Sequence, residues 1–492
     1  MARVVVIGAG VGGLAAAARL ARLGHQVTVC EQAAVVGGKL ATYQRGGFRF
    51  DTGPSLLTLP AVFRDLFRKT GKPLESVLDL VPVEPIARYR FADGTGLDLP
   101  NTGSYDVAAA LDAALGAGSG ADWRRLMERA DRMWRAARDP VLGSALDGRG
   151  WARLVRDYAR PGRSQLRTVA PWQSLRSLGR QYLRDPRLGM LLDRYATYTG
   201  SDPRRAPAVL ATIPYVEQTF AAWYVVGGLH RLATAIADRA VLRGARIRTS
   251  TPVSAVRTAG SRVCGITLAD GERVPADVVV SDVDATHLYA DLLPHRRSLA
   301  RLRRATPSLA GFVLLLAVRG RTGNLAHHNV LFPADYDAEF DAIFGLSPRP
   351  VPDPTLYVAV PDDPATAPAG DEAWFVLANA PRQGPVDWDS PGLAASYADR
   401  LLTLLAGRGL DVRDRLAFCE VRTPADLERA TGAVGGSIHG TSSNGVRGAL
   451  LRPANRSPVP GLFLVGGSSH PGGGLPLVAM SAAIVADLIG RA

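Results

Sequence analysis

Residues 8 to 38 carry the pattern that most restricts this chain: Gly8-x-Gly10-x-x-Gly13, then Gly24, Val27, Val29 and Glu31, and Gly37-Gly38 after five more residues. Val4 to Ile7 is a short unbroken apolar run, suited to a parallel strand buried on both faces. Gly8 permits a sharp turn, Gly10 lets a pyrophosphate approach the main chain, and Gly13 lets the next helix pack close to the sheet. That helix presents its N-terminal amides to the phosphates. Gln26 to Cys30 forms the second strand, and Glu31 falls at its end, eighteen residues past Gly13. A carboxylate there accepts hydrogen bonds from both ribose hydroxyls and repels a 2′-phosphate. Strand, glycines, helix and acid together predict a Rossmann-type βαβ unit holding a dinucleotide.

The other end of the chain repeats the theme. Gly461 to Val465 reads as a strand, Gly466 to Gly474 as a glycine-rich loop containing Ser468-Ser469-His470-Pro471, and Pro476 to Ile489 as a helix. Two such units, one at each end of the sequence, suit a cofactor with two parts. One unit would take an ADP half and the other an isoalloxazine, with a helix N-terminus favouring the negative charge of the reduced ring.

Between these ends the patterns predict a chain that leaves the nucleotide domain and returns. The expected segments are 1–105 and 216–285 as its first two parts, 106–215 as a mostly helical insert, 286–425 as a mixed substrate-binding domain, and 426–492 as the closing part. Asp93-Gly94 marks a hairpin between Tyr89–Phe91 and Gly96–Leu99. Ala310 to Val318 is the longest apolar run and reads as a buried strand rather than a membrane span. Arg3 before Val4–Ile7 resembles the start of a signal peptide, but the phosphate-loop pattern accounts for the glycines that follow, and a cytoplasmic protein is expected. Three widely spaced cysteines, Cys30, Cys264 and Cys419, support neither a disulfide framework nor a cysteine zinc site. Eight histidines lack metal-ligand spacing, and no metal is expected.

The net charge of +13 is concentrated. Residues 121–210 hold nineteen Arg, no Lys and nine acids, an excess of ten positive charges, and Trp123, Trp134, Trp151, Trp172 and Trp223 lie in or beside this stretch. Arg interspersed with aromatics is the composition of a surface that meets anionic lipid headgroups. No nucleic-acid-binding motif accompanies the charge, and no nucleic-acid partner is expected. Asp282 and Asp284, after an expected strand at Ala276–Ser281, read as solvated turn or cap groups.

The opening pattern with its later Gly-Gly is shared by FAD enzymes of the glutathione-reductase and amine-oxidase type. Phe50-Asp51-Thr52-Gly53-Pro54-Ser55, Leu325-Ala326-His327-His328 and Val465-Gly466-Gly467-Ser468-Ser469-His470-Pro471-Gly472-Gly473-Gly474-Leu475-Pro476 together resemble the bacterial phytoene-desaturase family, from Ala2 to Leu488. The resemblance implies an α/β, Rossmann-like FAD-binding domain with a mixed α+β substrate domain and a helical membrane-associating insert. It also implies an FAD enzyme, peripheral on the inner face of the cell membrane, that oxidises acyclic carotenoids and passes electrons to oxygen or a quinone. By the same resemblance Gly8, Gly10, Gly13 and Glu31 hold the ADP moiety, and Gly37, Gly38 and Lys39 lie beside the pyrophosphate. Lys39 departs from the commoner Arg and lacks its two-pronged donor geometry. Val253 matches the position whose backbone meets adenine. Gly53, Pro54, Gly466, Gly467, Gly474, Leu475 and Pro476 would border the isoalloxazine.

A carotene offers no polar handle, so the expected chemistry is loss of an allylic hydride to the flavin and a proton from the neighbouring carbon, in an apolar tunnel. His470 is the leading candidate for a polar group near the reacting carbon, followed by His327 and His328, with Asp157 and Arg160 behind them. Gly436–Gly440 and Leu451–Arg456 look more like late-pathway members, which include hydroxycarotenoid desaturases and oxygenases converting a terminal methyl to an aldehyde. An amine or protoporphyrinogen oxidase on the same scaffold, or a flavin-free prenyl-binding escort, are the alternatives. Retention of both glycine motifs argues against the escort.

Overall fold

The computed structural model describes residues 1–148, 150, 152, 154, 156, 165–445, 448 and 452–492. Trp151, Asp157 and Arg160 lie outside them. Strand β1 (Arg3–Ile7) runs into helix α1 (Val11–Arg22), and the chain returns as β2 (Gln26–Cys30). An alanine-rich sequence with Arg19 and Arg22 in its last turn favours the helix at both the propensity and the dipole level. Helix α2 (Pro60–Thr70) follows, then the hairpin β3 (Ala87–Arg90) and β4 (Gly96–Leu99).

A helical stretch comes next: α3 (Ser104–Leu115), α4 (Ser119–Ala137), α5 (Leu175–Tyr182), α6 (Pro186–Thr197) and α7 (Thr212–Phe220). Trp123 and Trp134 on α4 turn inward, whereas Trp172 is 66% exposed. The arginines here are largely paired. Arg184 and Arg125 meet Asp122, Arg176 meets Asp193 and Asp337, and Arg204 meets Asp202 and Asp341.

Helix α8 (His230–Leu242) leads back to the nucleotide sheet through β5 (Arg246–Arg248) and β6 (Val278–Ser281). Five strands then build a second sheet: β7 (Ala310–Val318), β8 (His328–Leu331), β9 (Leu356–Ala359), β10 (Glu372–Ala380) and β11 (Leu416–Arg422). The chain closes with β12 (Leu462–Leu464) and α9 (Leu475–Ile489).

The first sheet is parallel in the order β12-β6-β1-β2-β5. It is assembled from strands at residues 3, 26, 246, 278 and 462, so both ends of the chain and its middle share one layer. Helix α1 packs against α8 and α9 over an apolar core that includes Leu14, Leu20, Leu232, Ile236, Ala482 and Val485. Full burial of each such leucine or isoleucine contributes about 1.5–3 kcal/mol. The second sheet has the order β11-β7-β10-β9-β8-β3-β4. It is antiparallel except where β8 runs alongside β3, with Val330 opposite Tyr89. Aliphatic and aromatic residues of β3, β4 and β8 fuse its core with the helical layer.

Candidate active site

The two glycine loops meet. Val465 donates its amide hydrogen to the Ser281 carbonyl at 2.9 Å, and Asp282 donates to that of Ile7 at 2.9 Å, placing both loops at the C-terminal ends of the strands. A Cβ atom on Gly12 would lie 3.0 Å from the Gly466 backbone. Gly13 is forced by contact with its own strand, since a Cβ there would fall 2.2 Å from the Gly8 carbonyl oxygen. Any side chain at Gly13 would push α1 off the sheet and misdirect its free amides.

The second glycine pair closes the near side. Gly37 donates to the Ala9 carbonyl at 2.8 Å, and a Cβ on Gly38 would stand 3.3 Å from the Gly10 Cα. Glu31 is buried, its Oε2 accepting from the Ala9 amide at 2.6 Å and its Oε1 from Ala33 at 2.8 Å. Its backbone carbonyl takes the Thr251 amide at 2.7 Å, which brings the strand beginning at Val253 alongside. Lys39 donates from Nζ to the carbonyls of Ser437 and Ile438, at 3.0 and 2.7 Å. Burial lowers its pKa, while Asp284 and Asp282 act in the opposite direction. Lys39 thus ties the first loop to the segment before the C-terminal one.

Two buried side chains of the Leu451–Arg456 segment, to which the sequence assigned no role in the site, hold the C-terminal loop in shape. Arg452 donates to the carbonyls of His439, Gly467 and Thr441, at 2.8, 2.9 and 2.5 Å. Asn455 donates from Nδ2 to those of Leu464 and His470, and to the Ser481 hydroxyl. His470 is itself almost fully enclosed, its Nε2 lying 3.0 Å from the Ser144 carbonyl oxygen. Burial pushes its pKa down to about 4, so the ring is neutral at pH 7. Gly474 is exposed, and buried Leu475 and Pro476 start α9.

Gly53-Pro54-Ser55 links this nucleotide end to the second sheet. A Cβ on Gly53 would lie 1.9 Å from the Lys39 carbonyl oxygen, so the two turns are in contact. Ser55 Oγ is 2.5 Å from Tyr357 Oη, which is 2.6 Å from His328 Nδ1. His327 packs between Tyr224 and His328, with ring centroids 4.7 and 4.4 Å away. The Nε2 atoms of both histidines have no hydrogen-bond partner. Burial pushes His327 down to about 4 and His328 well below its ordinary value. A cavity of about 30 Å³ opens here, bordered by Asp51, Ser55, Tyr224, Gly227 and His327. Beyond it, Arg194 lies among the rings of Tyr89, Tyr198 and Tyr357, at 5.1 to 5.8 Å. The structure therefore gathers Ser55, His327 and His328 into one group and the glycine loops with Glu31, Lys39 and Gly53 into a contiguous second, with Pro54 joining the two along the chain. His470 shares no hydrogen bond or ring contact with the two histidines.

Asp282 corrects the expectation of a solvated turn group. Asp284 does cap a short helix, accepting the Thr286 amide hydrogen at 2.8 Å. Asp282 instead turns into the cradle, where its Oδ2 accepts the Gly13 amide hydrogen at 2.8 Å. Alternating spacing after a strand carries no signal for that inward turn. Among the described residues no cluster of His, Cys, Asp or Glu could hold a metal ion.

Facing glycine loops that no Cβ could share, with a carboxylate at the end of β2, fit a dinucleotide whose diphosphate lies at the start of α1. The family model described as "Flavin containing amine oxidoreductase" matches residues 11–490. The chain belongs to this family. It is an FAD-dependent oxidoreductase of the phytoene-desaturase-like group. It is 35% identical to 4,4'-diapolycopene oxygenase of Methylomonas sp, over 99% of this chain and 98% of that one. It is likewise 35% identical to hydroxyneurosporene desaturase of Cereibacter sphaeroides, with the same coverage of both chains. The fold is shared with cyclohexylamine oxidase from Brevibacterium oxydans, at a TM-score of 0.62 and 16% identity over 99% of each chain.

Proposed function

We propose that this family member desaturates an acyclic carotenoid at a late step of carotenoid biosynthesis. The observation that carries the reading is similarity along the whole chain to hydroxyneurosporene desaturase, both glycine loops included. FAD, when bound, supplies the acceptor for the hydride lost from an allylic carbon. The protein's own task is to align the polyene, exclude water and receive the second proton. Removing hydride leaves a cation spread along the polyene, and a proton on the adjoining carbon then becomes strongly acidic. A weak base suffices to take it. Neutral His327, which lines the cavity beside Ser55 and whose Nε2 has no hydrogen-bond partner, meets that requirement. His470, already engaged with the Ser144 carbonyl, acts by holding the C-terminal loop.

A second reading, oxidation of a terminal methyl group to an aldehyde, is favoured by equal identity to 4,4'-diapolycopene oxygenase. Purified protein given phytoene, neurosporene or lycopene in liposomes separates the two. Desaturation yields products lighter by pairs of hydrogens, whereas added oxygen mass overturns the first reading in favour of the second. No change to any carotenoid overturns both.

The electron acceptor in this proposal is oxygen or a quinone, and the helical region 106–215 is the face that rests on a membrane. Exposed Trp172 and Leu166 support that placement. Among the described residues no helix is long and apolar enough to cross a bilayer. Flotation with anionic vesicles, weakened by Trp172→Ala and by high salt, is the expected result; identical behaviour with neutral vesicles would overturn the electrostatic part.

A further inference from the structure

Asp282 stands where the two glycine loops touch. Cβ atoms on Gly10, Gly12 and Gly466 would lie 2.5, 2.5 and 2.2 Å from its carboxylate oxygens, and Oδ2 accepts the Gly13 amide hydrogen. That amide belongs to the first turn of α1, where unpaired N–H groups and the helix dipole attract an anion. In dinucleotide folds the anion at this position is the cofactor's diphosphate. This chain places one of its own carboxylates there.

The surroundings do little to neutralise it. From the end of β2 comes a second carboxylate, Glu31, held by the Ala9 and Ala33 amides. Lys39, from the loop after β2, is the facing cation, and two of its three N–H donors go to the Ser437 and Ile438 carbonyls. Asp284, two residues along, is occupied as a helix cap. The one ionisable side chain of Gly466–Gly474 is His470, whose ring meets Ser144 instead. A diphosphate entering this slot meets more negative than positive charge.

We propose that Asp282 is a proton-carrying ligand of the FAD diphosphate, donating to a phosphate oxygen when neutral and competing with the diphosphate for the Gly13 amide when ionised. FAD loading then takes up one proton at alkaline pH. Burial and Glu31 hold the carboxyl up at about 7, against the opposing Gly13 amide and Lys39. A diphosphate alongside raises it further. The dissociation constant for FAD is therefore flat below about pH 6 and climbs toward tenfold per pH unit above about pH 8.

The test follows release of FAD from the full-length holoprotein between pH 6 and 9, alongside calorimetric titration of FAD into the stripped chain in two buffers of different ionisation enthalpy. The expected wild-type result is weakening above pH 7 with uptake of close to one proton per FAD at pH 8. Asp282→Asn, equal in shape and always neutral, should hold FAD equally at all these pH values, more tightly than wild type at pH 9, and take up no proton. Wild-type FAD affinity that ignores pH, or an equal slope in both proteins, overturns the inference while leaving the flavin assignment standing. A chain that binds no FAD at any pH overturns both. Should Asp282→Asn fail to fold, the wild-type proton count decides alone.

Discussion

The contact between the glycine loops is open to a matched pair of substitutions. Gly466 has φ +91, and its Cβ would stand 2.2 Å from Asp282 Oδ1. Gly271, in an exposed hairpin turn, has φ +90 and nothing within 4 Å of a Cβ. Alanine at either position incurs about 1–2 kcal/mol for left-handed backbone. At Gly271 that is the whole effect. At Gly466 the methyl group overlaps Oδ1 by about 1 Å, and forced repacking of this kind costs about 1–3 kcal/mol. Turning the carboxyl aside also breaks its bond to the Gly13 amide, which costs the FAD-free fold about 1 kcal/mol but leaves that amide open to the diphosphate. The excess of Gly466→Ala over Gly271→Ala that can fall on binding is therefore the repacking alone, about 1–3 kcal/mol, or about a 5- to 150-fold weaker hold on FAD. Flavin fluorescence during heating reports the temperature of FAD release, and absorbance after dialysis reports occupancy. Gly271→Ala should keep full flavin with a small downward shift; Gly466→Ala should lose flavin and shift further. Equal shifts with equal occupancy would refute the claim that close approach of the loops dictates glycine at 466.

Other consequences are as direct. His327 and His470 are held near 4 and His439 near 3 by burial, below the ordinary 6.5. Across that interval these imidazoles bind more protons in the unfolded chain, so their contribution to stability is complete above about pH 6.5 and is lost as pH falls below it, opposed by Asp282, whose raised carboxyl keeps its proton in the folded chain. His439→Gln should make the thermal midpoint less sensitive to acid between pH 7 and 5; an unchanged sensitivity would contradict this. Tyr357→Phe removes the hydroxyl between Ser55 and His328, leaving buried polar atoms unpaired at about 1–3 kcal/mol. Turnover per bound flavin should fall while flavin content holds; loss of flavin instead would mean that this chain of hydroxyls serves the cofactor rather than the substrate. Thr423 and Asp426 form a reciprocal cap on the helix Pro424–Thr431, and Thr423→Ala should cost about 1 kcal/mol of stability with FAD occupancy intact.

Local chemistry made much of the nucleotide end legible. The strands at Gln26–Cys30 and Ala310–Val318 have the bounds that their apolar patterns suggested. The glycine spacings also signalled the meeting of the two loops, because a two-part cofactor requires both. Asp282 was hidden because the reason for its inward turn lies on a helix distant in sequence, in the Gly13 amide 269 residues away. Arg452 and Asn455 were hidden for a related reason: their partners are main-chain carbonyls, which every sequence possesses. The hairpin of β3 and β4 was readable from Asp93-Gly94, but its place beside β8 was not, since no local pattern encodes a pairing of Arg88 with Asn329. The Arg and Trp content of the helical stretch suggested one surface, yet folding splits it. Trp123 and Trp134 satisfy the interior, and many arginines answer nearby aspartates.

That early hairpin constrains how anything long can come and go. Because β3 is stitched by main-chain hydrogen bonds to β8, the first hundred residues are sewn into the far sheet as well as their own. A movement that parts the two sheets leaves this ladder whole, since both partners travel with the far sheet. What such a movement must bend is the chain on either side of the hairpin, so those short links set how far the sheets can separate.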